Sequence, residues 1–422
     1  MENLDRRRSL SPAKPDNSPP EKAASENQRK PCWKAAVTGF FYQRLGLDSA
    51  AALAAHKRVP VHNRELFYFL GGMALFLFGI QVVTGILLSL YYKPSPDQAF
   101  ESVRAIVTEI DFGWLFRSIH SWSANLLIGV LFLHVLTTYI MRAYRPPREF
   151  TWLTGIALLG VFMTFGFSGY LLPWNQLAYF ATSVGTAIAG AVPGIGKYLL
   201  LMARGGENIT GDTLARFYAL HVVILPLTAL GVVGLHLYLV QKHEISVPQD
   251  MIRKYGSPEK APSMPFVPHF LLRDMVGWYV ALGILAALAA LFPWELGQKA
   301  DPFGSAPADI KPEWYFLFMF QSLKDLPAYL PSEKHPWIEG ETLGILFFGF
   351  LGLMVALVPM LDRGAAAGRP RRVLNFFAAV TVAFVIFMTA RSMLVKPAQD
   401  PTAKPPQAAA AGLEGNPVKA TP

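Results

Sequence analysis

Long apolar runs alternate with shorter polar stretches along most of this 422-residue chain. Seven of these runs, at about 67–91, 115–141, 151–172, 217–240, 274–293, 343–361 and 373–390, are near the ~20 residues a helix needs to cross ~30 Å of hydrocarbon. Within lipid a helix satisfies every backbone polar group internally, which an isolated strand cannot do. The pattern predicts an all-α, polytopic membrane protein with seven transmembrane helices. The spacing of the runs divides it into a four-helix domain over 67–240, a linker over 241–273 and a three-helix domain over 274–394.

The flanks read differently. Residues 1–35 are rich in Pro, Ser, Lys and Arg without apolar periodicity, which predicts a disordered tail. They lack an apolar core followed by a small-residue cleavage site, and Glu2, Asp5, Asp16, Glu21 and Glu26 argue against a transit peptide. Over 36–66, Phe40, Phe41, Leu45 and Leu47 set against Arg44 and Lys57 predict an amphipathic helix on the membrane surface. Residues 395–422, rich in Ala, Pro and Lys, predict a second disordered tail.

Composition agrees with a membrane protein: 52% of residues are hydrophobic and the net charge is +9. That charge does not indicate nucleic acid, because the basic residues lie in tails and loops beside the apolar runs. With the N-terminus inside, the inner segments hold 24 Lys and Arg against 13 in the outer ones, so the N-terminus is expected in the cytoplasm and the C-terminus outside. The one cysteine, Cys32, excludes an internal disulfide and any cysteine-held cluster within the chain.

Four histidines carry the candidate chemistry. His120 and His134 are 14 residues apart in the second run, and His221 and His236 are 15 apart in the fourth. A step of 14 ends about 40° short of four whole turns and a step of 15 about 60° past that point, so each pair lies near one helix face. Single intramembrane histidines often hydrogen-bond between helices, but two pairs at matched spacing favour metal ligation. The topology pairs His120 with His221 near the outside and His134 with His236 near the inside, with roughly 21 Å of helix between the levels. A flat macrocycle with an iron at its centre fits each gap.

Gly71 and Gly85 in the first run, and Gly155 and Gly169 in the third, repeat the 14-residue step. They fit either close packing of helices through small residues or backbone left bare for the edge of a bound ring; the shared period favours the ring. Arg117 and Arg216, each just outward of a histidine, fit either snorkelling at the interface or pairing with carboxylates of an outer heme. Pro226 should kink the fourth helix and absorb its extra residue.

The stretches Phe112-Gly113-Trp114-Leu115-Phe116-Arg117-Ser118-Ile119-His120, Gly169-Tyr170-Leu171-Leu172-Pro173-Trp174, Arg216-Phe217-Tyr218-Ala219-Leu220-His221 and Pro312-Glu313-Trp314-Tyr315 resemble cytochrome b of the quinol-oxidising cytochrome bc complexes. The likeness runs from about 40 to 390. The step of 15 and the seven spans resemble the chloroplast type, with its two polypeptides joined into one. The resemblance implies that His120 and His221, and His134 and His236, are axial ligands of two non-covalent b-type hemes. It also implies that Pro312, Glu313, Trp314 and Tyr315 form the site where quinol is oxidised, with Glu313 accepting a proton. From position alone Glu313 is an ordinary loop carboxylate. The outer loop 173–216, including Val192-Pro193-Gly194-Ile195-Gly196, resembles the other wall of that site.

The resemblance further implies a Rieske iron–sulfur protein and a c-type cytochrome as partners, quinone as substrate, and a homodimer in a bacterial inner membrane. An inner quinone site is expected around Arg273, Asp274 and His243, although His243 also fits a solvated charge cluster. Two departures stand out. Phe69 occupies the position of the cysteine that holds a third, covalent heme in the chloroplast type, so no third heme is expected. Thr137 stands where the family often has an arginine for a heme carboxylate, leaving Arg142 or Arg145 to take that part. Alternatives are a di-heme anchor for a peripheral dehydrogenase, which would lack the Pro-Glu-Trp-Tyr loop and the last three helices, and a heme-free transporter.

Overall fold

A computed structural model describes residues 57–395, apart from 305, 308–309, 330–339, 363 and 365–370. The two expected tails and the expected surface helix up to residue 56 lie outside the described residues. Beyond residue 56 that helix does not continue. Arg58–Pro60 is instead a short strand, β1, paired antiparallel with Ser263–Pro265, β2, which ties the entry of the first span to the entry of the fifth.

Among the described residues six helices are long and apolar enough to cross a membrane: Glu65–Ser89, Gly113–Ile140, Glu149–Leu171, Gly211–His243, Phe266–Leu291 and Arg372–Leu394. The expected sixth span is the shorter apolar helix Gly340–Ala356, continued by one turn over Val358–Leu361. The interruption has a local cause: Pro359 has no N–H to offer the carbonyl of Val355 four residues back. Trp152 Nε1 of the third span donates to that carbonyl instead, at 3.0 Å.

The first span packs along the second and the third along the fourth, with the second also touching the third. Their shared core is Ala74, Leu77 and Phe78, Leu127 and Leu131, Leu158 and Phe162, and Ala229. On each helix these residues fall between the two members of the glycine or histidine pair, so an apolar plug fills the middle and the histidines lie toward either end. In lipid such a cluster holds by close packing rather than by expelling water.

The fifth span packs against the first and second and adds Leu285 to their core. The three-helix grouping at the C-terminal end is made by Leu317–Tyr329, Gly340–Ala356 and Arg372–Leu394. The stretch 173–216, expected as loop, contains helices Gln176–Gly190 and Gly196–Arg204. Asn175 caps the first of these by accepting from the Ala178 N–H at 2.8 Å. Buried Arg204 joins both, donating to Thr186 Oγ1 at 2.7 Å and to the Ser183 carbonyl at 2.8 Å.

Candidate functional site

The imidazoles of His120 and His221 face each other with ring centroids 6.5 Å apart. A metal held at ~2 Å by one nitrogen of each ring places the centroids about 6–6.5 Å apart. His134 and His236 form a second level and lie within electrostatic reach of each other. The structure thus brings His120 beside His221 and His134 near His236.

Each histidine is seated on one of the four glycines. A Cβ on Gly85 would come within 3.2 Å of His120 Cε1, one on Gly71 within 3.3 Å of His134 Cε1, one on Gly155 within 3.3 Å of His236 Cε1, and one on Gly169 within 2.6 Å of His221 Cε1. The space expected for a macrocycle edge is, at each glycine, bordered by an imidazole. The missing side chains make room for the imidazoles themselves.

Hydroxyls set the ring tautomers. Thr84 Oγ1 lies 2.9 Å from His120 Nδ1 and donates its one hydrogen to the Ile80 carbonyl at 2.7 Å. Thr154 Oγ1 does the same between His236 Nδ1 and the Phe150 carbonyl, both at 2.9 Å. Ser168 Oγ sits 3.0 Å from His221 Nδ1 and donates to Phe165 at 3.2 Å. Each hydroxyl oxygen then accepts from Nδ1–H, which leaves Nε2 with a free lone pair toward the gap. His134 Nδ1 has no partner. These hydroxyls were missed in the sequence, although each immediately precedes a histidine-facing glycine.

Among the described residues no cluster of three or more His, Cys, Asp or Glu can hold a metal. Each level thus offers two nitrogens and nothing else, and an ion there needs its remaining ligands from a non-protein group. A flat tetradentate macrocycle supplies four in the plane between the rings, so the donor set fits an iron porphyrin.

The uneven histidine step is resolved in the backbone. Residues Leu220–Ile224, which include His221, form a π turn directly before helix Leu225–His243. A π turn accommodates one extra residue, so a step of 15 brings the side chains to the faces a step of 14 would reach. The expected role of Pro226 is shared: it stands at the start of the helix that follows, where a missing N–H costs least.

The Pro-Glu-Trp-Tyr stretch is pinned between two spans. Trp314 Nε1 donates to Asn125 Oδ1 of the second span at 2.9 Å, and Tyr315, 4% exposed, places its hydroxyl where a Cβ on Gly166 of the third span would be. Pro312 and Glu313 line a cavity of about 360 Å³ with Met163, Tyr170, Ala181 and Val192. The side of this cavity opposite Glu313 is built more by helix Gln176–Gly190 than by the Val192–Gly196 turn. Burial raises the Glu313 carboxyl above its ordinary value.

The arginines expected to serve heme carboxylates have these protein partners. Arg117 is buried and donates to the carbonyls of Trp294 and Glu295, while Arg216 is exposed and donates to the Met202 carbonyl at 2.9 Å. Arg142 and Arg145 are committed elsewhere: Arg142 pairs with Asp362 through two bonds of 2.9 Å, and Arg145 donates to Ser246 and Val247. Of the inner trio, Arg273 pairs with Glu65 at 2.8 Å, Asp274 is buried against Gly72, and no hydrogen bond or ion pair joins His243 to either. The Phe69 ring packs against Phe270 at 5.0 Å in a cluster with Tyr68 and Phe266.

Residues 56–244 match the family model described as cytochrome b/b6/petB, and residues 299–411 the one described as cytochrome b (C-terminal)/b6/petD. The chain is 41% identical over 379 residues to the cytochrome bc complex cytochrome b subunit of Chlorobaculum thiosulfatiphilum, covering 88% of this chain and 84% of that one. It is 43% identical over 203 residues to the cytochrome b6 of Heliobacterium mobile, covering 48% of this chain and 95% of the relative. Among solved structures, a hyperthermophilic respiratory Complex III matches with a TM-score of 0.70 at 30% identity, over 86% of this chain and 90% of that one.

Proposed function

This chain belongs to the cytochrome b/b6 family, and from that premise we propose that it is the di-heme cytochrome b subunit of a quinol–cytochrome c reductase. The observation that carries this reading is the pair of facing imidazole levels, each ring seated on a glycine and three of the four held with Nε2 free. His120 and His221 hold the outer heme, His134 and His236 the inner one. When bound, the two hemes supply one-electron carriage between the faces of the membrane. Arg117 and Arg216 keep guanidinium hydrogens beyond those given to carbonyls, and these would serve the carboxylates of the outer heme.

Quinol enters the cavity lined by Glu313 and gives up two protons and two electrons. Glu313 accepts a proton, and its raised pKa brings it nearer the working pH, where a general base is most effective. A Rieske iron–sulfur protein would take one electron on to a c-type cytochrome, and the bound hemes would carry the other toward an inner quinone site at Arg273, Asp274 and His243. Protons are thereby released outside and taken up inside. Two hemes are expected in this reading, because Phe69, packed against Phe270, offers no thiol to hold a covalent third. The complex is a homodimer in a bacterial inner membrane, with the N-terminus of this chain in the cytoplasm.

A redox titration of the purified complex tests this, followed in the reduced-minus-oxidised optical spectrum together with quinol-dependent reduction of cytochrome c. Two b-type components and quinol oxidation are expected. The absence of b-type bands, or a single component, overturns the reading.

A further inference from the structure

The C-terminal end of the span Arg372–Leu394 grips the Pro-Glu-Trp-Tyr turn from both sides. Upstream of the turn, half-buried Lys311 donates through Nζ to the Ser392 carbonyl at 2.7 Å and to the Val395 carbonyl at 3.3 Å. Downstream, Arg391 pairs with Asp325 of helix Leu317–Tyr329 at 2.7 Å, and Gln321 of that helix donates to the same carboxylate at 2.8 Å. The last carbonyls of a helix have no partner within it and carry the negative end of its dipole, so an ammonium is well matched to them. Ser392 is fully buried, which keeps water from competing for its carbonyl.

Residues 311–313 belong to no helix or strand, and Pro312 has no N–H with which to join one. Side chains therefore fix this segment. Trp314 and Tyr315 hold the far side of Glu313 to the second and third spans. Lys311 is the contact on the near side, two residues from the carboxyl that lines the cavity. We propose that Lys311 is a positioning residue for quinol oxidation, clasping the end of the last span so that Glu313 stays turned into the cavity and shielded from water. This rests on the reading of that cavity as the quinol site. A lysine that only capped a helix end would stabilise the fold and leave the surroundings of Glu313 alone.

The test is steady-state quinol oxidation by the intact complex as a function of pH, with the optical redox titration alongside. Lys311→Met should lower kcat about tenfold, the worth of a charge-assisted hydrogen bond, with both b-type components kept at their potentials. Lys311→Arg reaches the same carbonyls and should recover most of the rate. The titratable groups within electrostatic reach of Glu313 are Tyr170, at the end of the third span, and Tyr315 in its own turn. Both are phenols and neutral at the pH of the assay, so the acid limb of the profile reports the carboxyl. Burial holds that carboxyl above its ordinary value. In Lys311→Met a loosened turn lets water reach it, its pKa falls and the limb moves to lower pH. Deleting a nearby positive charge alone would move the limb the other way. A limb that stays in place or moves to higher pH, or an unchanged rate, overturns the proposal. If Glu313→Gln is without effect as well, the quinol-site reading goes with it; if only Lys311→Met is without effect, that reading stands. Should Lys311→Met fail to assemble, Lys311→Gln, uncharged and able to keep one N–H on the carbonyls, decides by the direction of the same limb.

Discussion

Trp314 donates its indole N–H to Asn125 Oδ1 at 2.9 Å, which joins the Pro-Glu-Trp-Tyr turn to the helix carrying His120 and His134. Asn125 lies about a turn and a half beyond His120, so one hydrogen bond ties the turn that carries Glu313 to the level of the outer pair of rings. Asn125→Leu should keep both hemes at unchanged potentials and slow quinol oxidation several-fold, consistent with a hydrogen bond of about 1 kcal/mol. Asn125→Asp retains an acceptor and should recover most of the rate. Steady-state kinetics beside the redox titration makes the comparison.

Glu313 is held above its ordinary pKa by burial. Below that raised value the carboxyl is already protonated and accepts nothing, so quinol oxidation should fall as pH drops through it. Glu313→Gln should slow the reaction about 10²-fold and flatten this acid limb. The same burial penalises the charged form as pH rises, so the Gln variant should unfold no more readily than the parent at pH 8. Turnover that keeps the parent's pH profile after this substitution counts against a proton-accepting role.

His236→Ala removes one ring of the inner level and leaves His120 and His221 in place. The expected outcome is loss of one b-type component in the optical titration and retention of the other. Loss of both from a folded protein contradicts the pairing.

Gly169→Ala would bring a Cβ to 2.6 Å from His221 Cε1, whereas Gly160→Ala on the same span meets nothing within 4 Å. The first should cost about 1–3 kcal/mol through overpacking and weaken heme retention at the outer level. The second should be silent. Heme content per protein, measured after chromatography, separates them.

Asp362, its side chain 3% exposed, pairs with Arg142 at 2.9 Å and also accepts from the Tyr144 hydroxyl at 2.8 Å, linking the end of the second span to the chain entering the last. Arg142→Met leaves a buried carboxylate with one partner fewer and should cost about 3–5 kcal/mol. Arg142→Met combined with Asp362→Leu should recover much of that loss, because the uncompensated charge is gone. Thermal unfolding in detergent, followed by circular dichroism, reads both.

The spans, their order and the paired histidines were legible in the sequence because each depends on local rules. Apolar length decides what can cross a bilayer, and helical period decides which side chains share a face. The 14-residue glycine repeat was visible for the same reason, but its purpose was not. Only the packing of the first span on the second and the third on the fourth shows that the glycines receive imidazoles. The hydroxyls beside them went unnoticed because Ser and Thr are common in membrane helices, and their partners lie 36 to 82 residues away.

Sequence by itself determined the class of fold, the four ring-bearing positions and the motif containing Glu313. Tertiary structure decided what side chains separated along the chain do to one another. It committed Arg142 to Asp362, moved the fifth span onto the first bundle, placed Trp314 on Asn125 and gave three rings a hydroxyl while withholding one from His134. Period and hydropathy describe one helix in its solvent, whereas these contacts arise only when two helices meet at a particular rotation.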